Sequence, residues 1–340
     1  MAVVIDNGSS LTKIGMGECE NPKSVIPTIQ NGISPVERGL IKNWDTMEQL
    51  WHRVFYNELK IKPKEHPLLY IEPVMNPKND RNKIVQIMFE NNKIPSLLMC
   101  PSTYSTIIGK DLRCGFCIES GDGVTQIGVM YDGYSMPCIE FKHYFAGNDL
   151  TQNFIKRMNG KGYSLNTPEM KKAVENIKET LFYTALDVND EIKKDVKELE
   201  KSYKLPDGKE MIIARKRYGF PEALFNLAVI DITAEGIQEF VSKGIEKLDY
   251  DIRNLLASNI VLGGGNTKIN GFEARLEKEL KNMNSQRPYK FQTYEDPKIA
   301  AWIGGSLISQ SHFFGERSLT KEEYNEKGEE IITQKFLIQF

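Results

Sequence analysis

The strongest constraint on the fold of this chain is a pattern that occurs twice, at residues 3–15 and again at residues 116–128. The first copy reads VVIDNGSSLTKIG and the second FCIESGDGVTQIG. In register, Asp6 matches Glu119, Gly8 matches Gly121, Thr12 matches Thr125 and Gly15 matches Gly128. Each copy is an apolar strand, an acid, a Gly/Ser turn and a second strand with β-branched residues, which is the chemistry of a hairpin. A single acid-x-Gly turn is most often only a turn. Two copies more than a hundred residues apart predict two related lobes facing each other. Tight turns of this kind present successive backbone N–H groups that form a concave anion site suited to phosphate. An acid beside each turn can hold the water shell of a divalent cation, the mode Mg²⁺ prefers over an all-protein cage.

A third element lies towards the C-terminus. The apolar run Asn259–Leu262 ends in Gly263-Gly264-Gly265-Asn266-Thr267, and residues 271–280 then show helical spacing. Strand, triple glycine and helix together let a ligand approach the backbone closely. The segment has neither the GK[ST] ending of a P-loop nor a GxGxxG.

Other helices are predicted from apolar spacing and caps. One runs over Asp45–Leu59 with Asp45 as its acid cap and Trp51, Val54 and Phe55 on one stripe. A second covers Pro77–Asn92, with Ile84, Ile87 and Met88 inward. Thr167-Pro-Glu opens a third that runs to about Ala185 with Val174, Ile177 and Leu181 inward, and 233–247 and 320–327 complete the set. The charged stretch 187–200 reads as a solvated helix or loop without chemistry. Strands flanking each hairpin, with helices between, give an α/β class with two strand-and-helix halves.

Composition narrows the function classes. The 340 residues suit two core-bearing units. The 44 basic and 46 acidic residues, a net charge of -2, argue against non-specific polyanion binding, and direct nucleic-acid binding is not expected. No apolar run reaches the ~18 residues that span a bilayer, and the N-terminal segment lacks a leader's charged-then-apolar pattern. Five scattered cysteines read as reduced thiols in a cytosolic or nuclear protein. Cys114 and Cys117 have metal-ligand spacing but no second pair, so thiols on a core strand are the better reading. His52, His66, His143 and His312 form no HExxH-like set, and there is no GxSxG.

The residues resemble the actin family along nearly the whole chain. VVIDNGSS is similar to the first phosphate loop and ESGDGVTQ to the second. IKNWDTMEQLWHRVFYNEL, EKSYKLPDG, PEALF, DIRNLLASNIVLGGG, AWIGGSLISQ and KEEYNEKGEEIITQKF follow in the family's order. The resemblance implies an actin-like ATPase fold of the duplicated ribonuclease H-like kind, with two lobes around a nucleotide cleft. It implies one large lobe from 1–109 plus 300–340, with a residual second subdomain at 28–38. The other large lobe would be 110–145 plus 231–299, and 146–230 a fourth subdomain. ATP or ADP with Mg²⁺ or Ca²⁺ is the implied ligand. Ser9, Ser10, Leu11 and Lys13 would contact phosphates from one side and Asp122, Gly123 and Val124 from the other, with Asp6 and Glu119 reaching the metal through water. Lys178 and Glu179 match residues that flank adenine and ribose. Gly264, Gly265 and Asn266 match the loop beneath the nucleoside, Lys298 a lysine beside the base, and Gly147 a glycine at the lobe boundary. Implied partners are other actin-family subunits or actin-binding proteins, in the cytoplasm and cytoskeleton or in a nuclear complex.

Departures from the family bear on chemistry. The family's water-orienting Gln falls at Pro101-Ser102, its His at Gln126, and its second-loop Asp at Glu119. Losing such groups slows phosphoryl transfer without abolishing binding, and Gln126 offers a substitute water-orienting amide. The long excursion that forms the family's second subdomain is replaced by a short Gly/Pro connection, Pro27 through Arg38. These expectations lead to a nucleotide-binding subunit with slow turnover and impaired self-polymerisation, acting at filament ends or in a heteromeric complex. The alternatives are a filament-forming ATPase with altered water positioning, a nuclear subunit of a chromatin-remodelling complex and, least favoured, a sugar-kinase-like phosphotransferase.

Overall fold

The computed structural model describes residues 1–336. The first repeat forms β1 (Val3–Asn7) and β2 (Leu11–Met16), paired antiparallel with Asp6 opposite Lys13. β3 (Ser24–Pro27) adds to β2, and a small separate hairpin follows, β4 (Val36–Glu37) and β5 (Leu40–Ile41). β6 (Leu68–Glu72) and β7 (Ser96–Pro101) extend the sheet in parallel from β1. The second repeat forms β8 (Gly115–Ser120) and β9 (Thr125–Tyr131), with Glu119 opposite Gln126. Strand Phe141–His143 joins β9 antiparallel, and Ile260–Gly263 joins β8 in parallel. The two sheets therefore share one plan, in which a hairpin gains an antiparallel strand on one side and a parallel strand on the other. The duplication read from the sequence is a duplication of topology.

The repeated residues explain this plan. Gly8 and Gly121 each donate a backbone N–H to the carbonyl three residues on, Leu11 and Val124, both at 3.0 Å. Thr12 bonds Thr28 (2.9 Å) and Thr125 bonds Ser120 (2.9 Å), so each second strand anchors its turn through a buried hydroxyl. Gly15 and Gly128 serve close packing. A Cβ at Gly15 would lie 2.6 Å from the Trp302 ring, and one at Gly128 would lie 2.0 Å from the Thr103 hydroxyl. Each sheet thus receives a helix over its second strand, Ala300–Gln310 on the first and α3 (Ser102–Ile108) on the second. Those two helices cross where a Cβ at Gly304 would stand 1.6 Å from the Ser105 carbonyl oxygen, so their backbones touch.

Three large apolar clusters form the interior. One lies around the first sheet and includes Trp51, Phe55 and Trp302. One lies around the second sheet with Phe116, Phe240 and Phe272. The third, with Phe154, Phe182 and Phe220, lies within α4 (Gly147–Asn159), α5 (Pro168–Leu181) and the hairpin 201–213.

Several expected boundaries are corrected. Helix α1 (Trp44–His52) is capped by Asn43, whose Oδ1 accepts the Thr46 N–H at 2.9 Å, and not by Asp45, which lies in the first turn. It continues to Leu59 as π-helix over Arg53–Leu59. The 77–92 segment is likewise α-helical over α2 (Lys78–Gln86) and then π-helical to Asn91. α5 begins as expected, Thr167 capping it, but stops at Leu181, which is only half-buried. There the chain turns extended so that Tyr183 and Thr184 can donate backbone bonds to Arg217 (3.0 Å) and Asn270 (2.7 Å), a tertiary demand that overrides local propensity. The helix expected over 233–247 starts at Ile237. The 187–200 stretch is not wholly solvated, since Leu199 and Glu191 are buried and Glu191 accepts the Tyr183 hydroxyl at 2.6 Å.

Candidate nucleotide cleft

Between the two sheets lies a cavity of about 340 Å³, within the usual range for a small-molecule site. The two repeat turns form its floor and face each other. A Cβ at Gly123 would lie 2.2 Å from the Ser9 hydroxyl, so the tips of the turns are in contact. Asp6, Ser9, Ser10, Leu11 and Lys13 line it from the first turn, and Glu119, Asp122, Gly123, Val124 and Gln126 from the second. Lys178, Glu179, Gly264, Gly265, Asn266 and Lys298 line the rest, so the sequence-predicted set converges on one cleft with one exception. Gly147 is a correction. It stands behind the second turn, donating its N–H to the Gly121 carbonyl at 3.0 Å, and a Cβ there would press on Asn266 and Asp122. It supports the turn and does not line the cleft.

The acids of the two hairpins occupy equivalent places but different electrostatic settings. Asp6 forms an ion pair with its cross-strand neighbour Lys13 at 3.0 Å, both nearly buried. Glu119 is buried and accepts three hydrogen bonds, from Ser102 Oγ (2.5 Å), Thr106 Oγ1 (2.8 Å) and Gln126 Nε2 (2.8 Å). Burial pushes the Glu119 carboxyl above the usual range, with nearby Asp6 adding to the effect and the three donors opposing it. Gln126 Nε2 also donates to Ser102 Oγ (2.6 Å), and its Oε1 accepts the Val74 N–H (3.2 Å). Ser102, Glu119 and Gln126 thus form a closed network in which each polar end of the Gln126 amide already has a protein partner.

The glycine loop and lysines have defined roles. Gly264 sits at φ +82°, where a Cβ would meet the Ser120 carbonyl at 2.4 Å, so only glycine lets the loop lie against the second turn. Asn266 donates to Gly121 O (2.7 Å) and Ser120 Oγ (3.1 Å), spending its amide on that turn. Lys298 pairs with Glu179 at 2.6 Å across the cleft. Lys178 is buried and bound to Glu175 (2.6 Å), Thr151 (3.0 Å) and the Gly147 carbonyl (3.3 Å), which ties α5 to the start of α4. Turn amides, a buried lysine and carboxylates in one cleft fit a polyphosphate accompanied by a divalent ion.

Arg38, Gly39 and Glu72 belong to no motif that marks them as site residues. Glu72 is buried in the cleft wall and held by Arg81 (2.8 Å) and Asn76 (2.7 Å). The only local hint was Arg-Gly between two short β-prone pairs, the composition of a two-residue hairpin turn.

Burial pushes the Asp122 carboxyl up to about 6, although Lys178 pulls it down. The folded protein therefore holds this proton more tightly than the unfolded chain, whose aspartate titrates near ~3.9. The associated stability is complete below that value and is lost as pH rises through about 6. Asp122→Asn is expected to stabilise the ligand-free protein by on the order of 1–2 kcal/mol at about pH 7.5 and to have little effect at about pH 4. Thermal melts of both proteins at the two pH values check this, and an equal difference at both would refute it.

Among the described residues no helix is long and apolar enough to cross a membrane. A family model described as Actin matches residues 30–337. The matched range holds the second hairpin and the glycine loop. The first hairpin lies ahead of it and is tied to it by the shared topology.

Proposed function

Because this chain belongs to the actin family and is an actin-like nucleotide-binding protein, we propose that it clasps ATP or ADP between the repeat turns, turns it over slowly and joins filaments or complexes without growing filaments of its own. The observation that carries the reading is the face-to-face contact of the Gly8–Leu11 and Gly121–Val124 turns at the floor of one cleft. In this reading Ser9, Ser10, Leu11 and Lys13 hold phosphates from one side and Asp122, Gly123 and Val124 from the other. Asp6 and Glu119 hold Mg²⁺ or Ca²⁺ through water, and Lys178, Glu179, Gly264, Gly265, Asn266 and Lys298 surround the nucleoside. The divalent ion supplies charge neutralisation for the phosphates, and the protein residues orient them and exclude water.

Slow turnover follows from the closed network. An attacking water needs an acceptor free to orient it, and Glu119 and Gln126 already satisfy one another and Ser102. In this reading one large lobe is 1–109 with 300–340, the other 110–145 with 231–299, and 146–230 is a fourth subdomain.

Impaired self-assembly rests on the link between β3 and β4, which is only residues 28–35 and includes the tight bridge between Gln30 and Ile33. No extended arm is available there to reach a neighbour. A subunit that keeps one half of a head-to-tail contact and lacks the other terminates a filament instead of propagating it. Partners would be other actin-family subunits or actin-binding proteins, in the cytoplasm and cytoskeleton.

Two measurements test the proposal. Single-turnover γ-phosphate release should be slow against a conventional polymerised actin, and a matching rate would reject slow turnover. Sedimentation with Mg-ATP at high concentration should leave the pure chain in the supernatant. Long helical polymers in the pellet would reject the assembly reading.

A further inference from the structure

The short hairpin β4–β5 lies across the phosphate end of the cleft. Its turn is two residues long, Arg38 and Gly39, at φ +49° and +78°, the left-handed pair of a type I′ hairpin. The turn rests on both phosphate-side turns at once. Gly39 donates its N–H to the Ser9 hydroxyl at 3.1 Å and lines the cleft. A Cβ on Gly123 would come within 3.2 Å of the Arg38 Cα, so the backbone of this tip touches the second turn as well.

From the tip, the Arg38 side chain reaches beyond the second turn. Its guanidinium makes a two-pronged contact with Asp149, at 2.9 Å and 3.2 Å, and donates to the Tyr144 carbonyl oxygen. Asp149 belongs to the first turn of α4 and also accepts the Ala146 N–H at 2.9 Å. One carboxylate therefore starts a helix of the second half and holds an arginine carried by the first half. We propose that the β4–β5 hairpin is a strap over the phosphate end of the cleft and that the Arg38–Asp149 pair is its latch, so that release of this pair sets how long a bound nucleotide stays.

The inference rests on the nucleotide reading of the cleft, and the test separates the two. The pair is partly exposed, with side-chain exposures of 40% and 24%, so it is strong enough to bias a closed state and weak enough to open thermally. A pair of this exposure is also screened by salt. Asparagine is well suited to the left-handed position that Arg38 occupies, so Arg38→Asn keeps the turn and removes the latch. Asp149→Asn removes the charge but keeps an acceptor for Ala146.

The measurement is dissociation of a fluorescent ATP analogue, chased with excess ATP, from the full chain in Mg²⁺ buffer. Each single variant is expected to release the analogue roughly threefold to tenfold faster than wild type. The double variant should be no faster than the faster single one, because both changes break the same contact. Added salt should speed release from the wild type more than from Arg38→Asn. If wild type binds and the variants release at its rate, or if the two effects multiply, the latch is overturned while the nucleotide site stands. If wild type does not bind the analogue, the nucleotide reading falls and the latch with it.

Discussion

The double substitution E119D/Q126H is expected to raise single-turnover γ-phosphate release at least roughly tenfold over the wild-type chain. The reason lies in the geometry of the second hairpin. Glu119 and Gln126 are cross-strand neighbours, and the Glu119 carboxylate is reached by Ser102 and Thr106, which stand on α3. An aspartate is one methylene shorter and withdraws the carboxylate from the α3 hydroxyls. An imidazole at 126 cannot satisfy Val74, Ser102 and the carboxylate together, as the amide does. The closed network is thereby opened, and an acceptor becomes free to orient water. Quenched-flow measurement of phosphate release from a preloaded complex gives the rate directly. An unchanged rate, with nucleotide retained, would mean that something other than this network limits turnover.

The second large effect concerns stability. Arg275, on helix Phe272–Met283, is buried and makes a fork-to-fork pair with buried Glu222 at 2.8 Å and 2.9 Å. It also bonds Glu279 (2.6 Å) and the Ala185 carbonyl (2.8 Å). This one guanidinium joins the PEALF segment, the end of the Tyr183–Ala185 stretch and the helix that follows the glycine loop. Arg275→Ala is expected to cost about 3–5 kcal/mol, because it leaves the Glu222 carboxylate buried without its partner. Replacing both residues with apolar ones of similar size should cost clearly less than either single truncation, since no orphaned charge remains. Urea unfolding of the three variants measures the difference. A loss under about 1 kcal/mol for Arg275→Ala would show that water or a neighbour relieves Glu222.

What could be read from the residues alone was the part set by local chemistry. The hairpin turns, their anchoring threonines and the glycines under Trp302 and Thr103 repeat in register, because each copy solves the same steric problem with the same atoms. The glycine loop was equally legible, because only glycine tolerates the backbone at 264. What was missed depends on partners remote in the chain. α5 ends early because Tyr183 and Thr184 are drawn to Arg217 and Asn270. Gly147 carries a nucleotide-site motif yet packs behind the turn. The Arg38 contacts lie more than a hundred residues away, where no local pattern can announce them. The cap at Asn43 instead of Asp45 was a choice between two good acceptors, and the extended backbone at Asn43 decided it.

The crossing of α3 with helix Ala300–Gln310 has a mechanical consequence. Where Gly304 meets Ser105 the two main chains are in contact, and sliding one past the other would drive a neighbouring side chain into a carbonyl. Sliding of α3 along helix Ala300–Gln310 is therefore blocked at this crossing, while rotation about the contact leaves it in place.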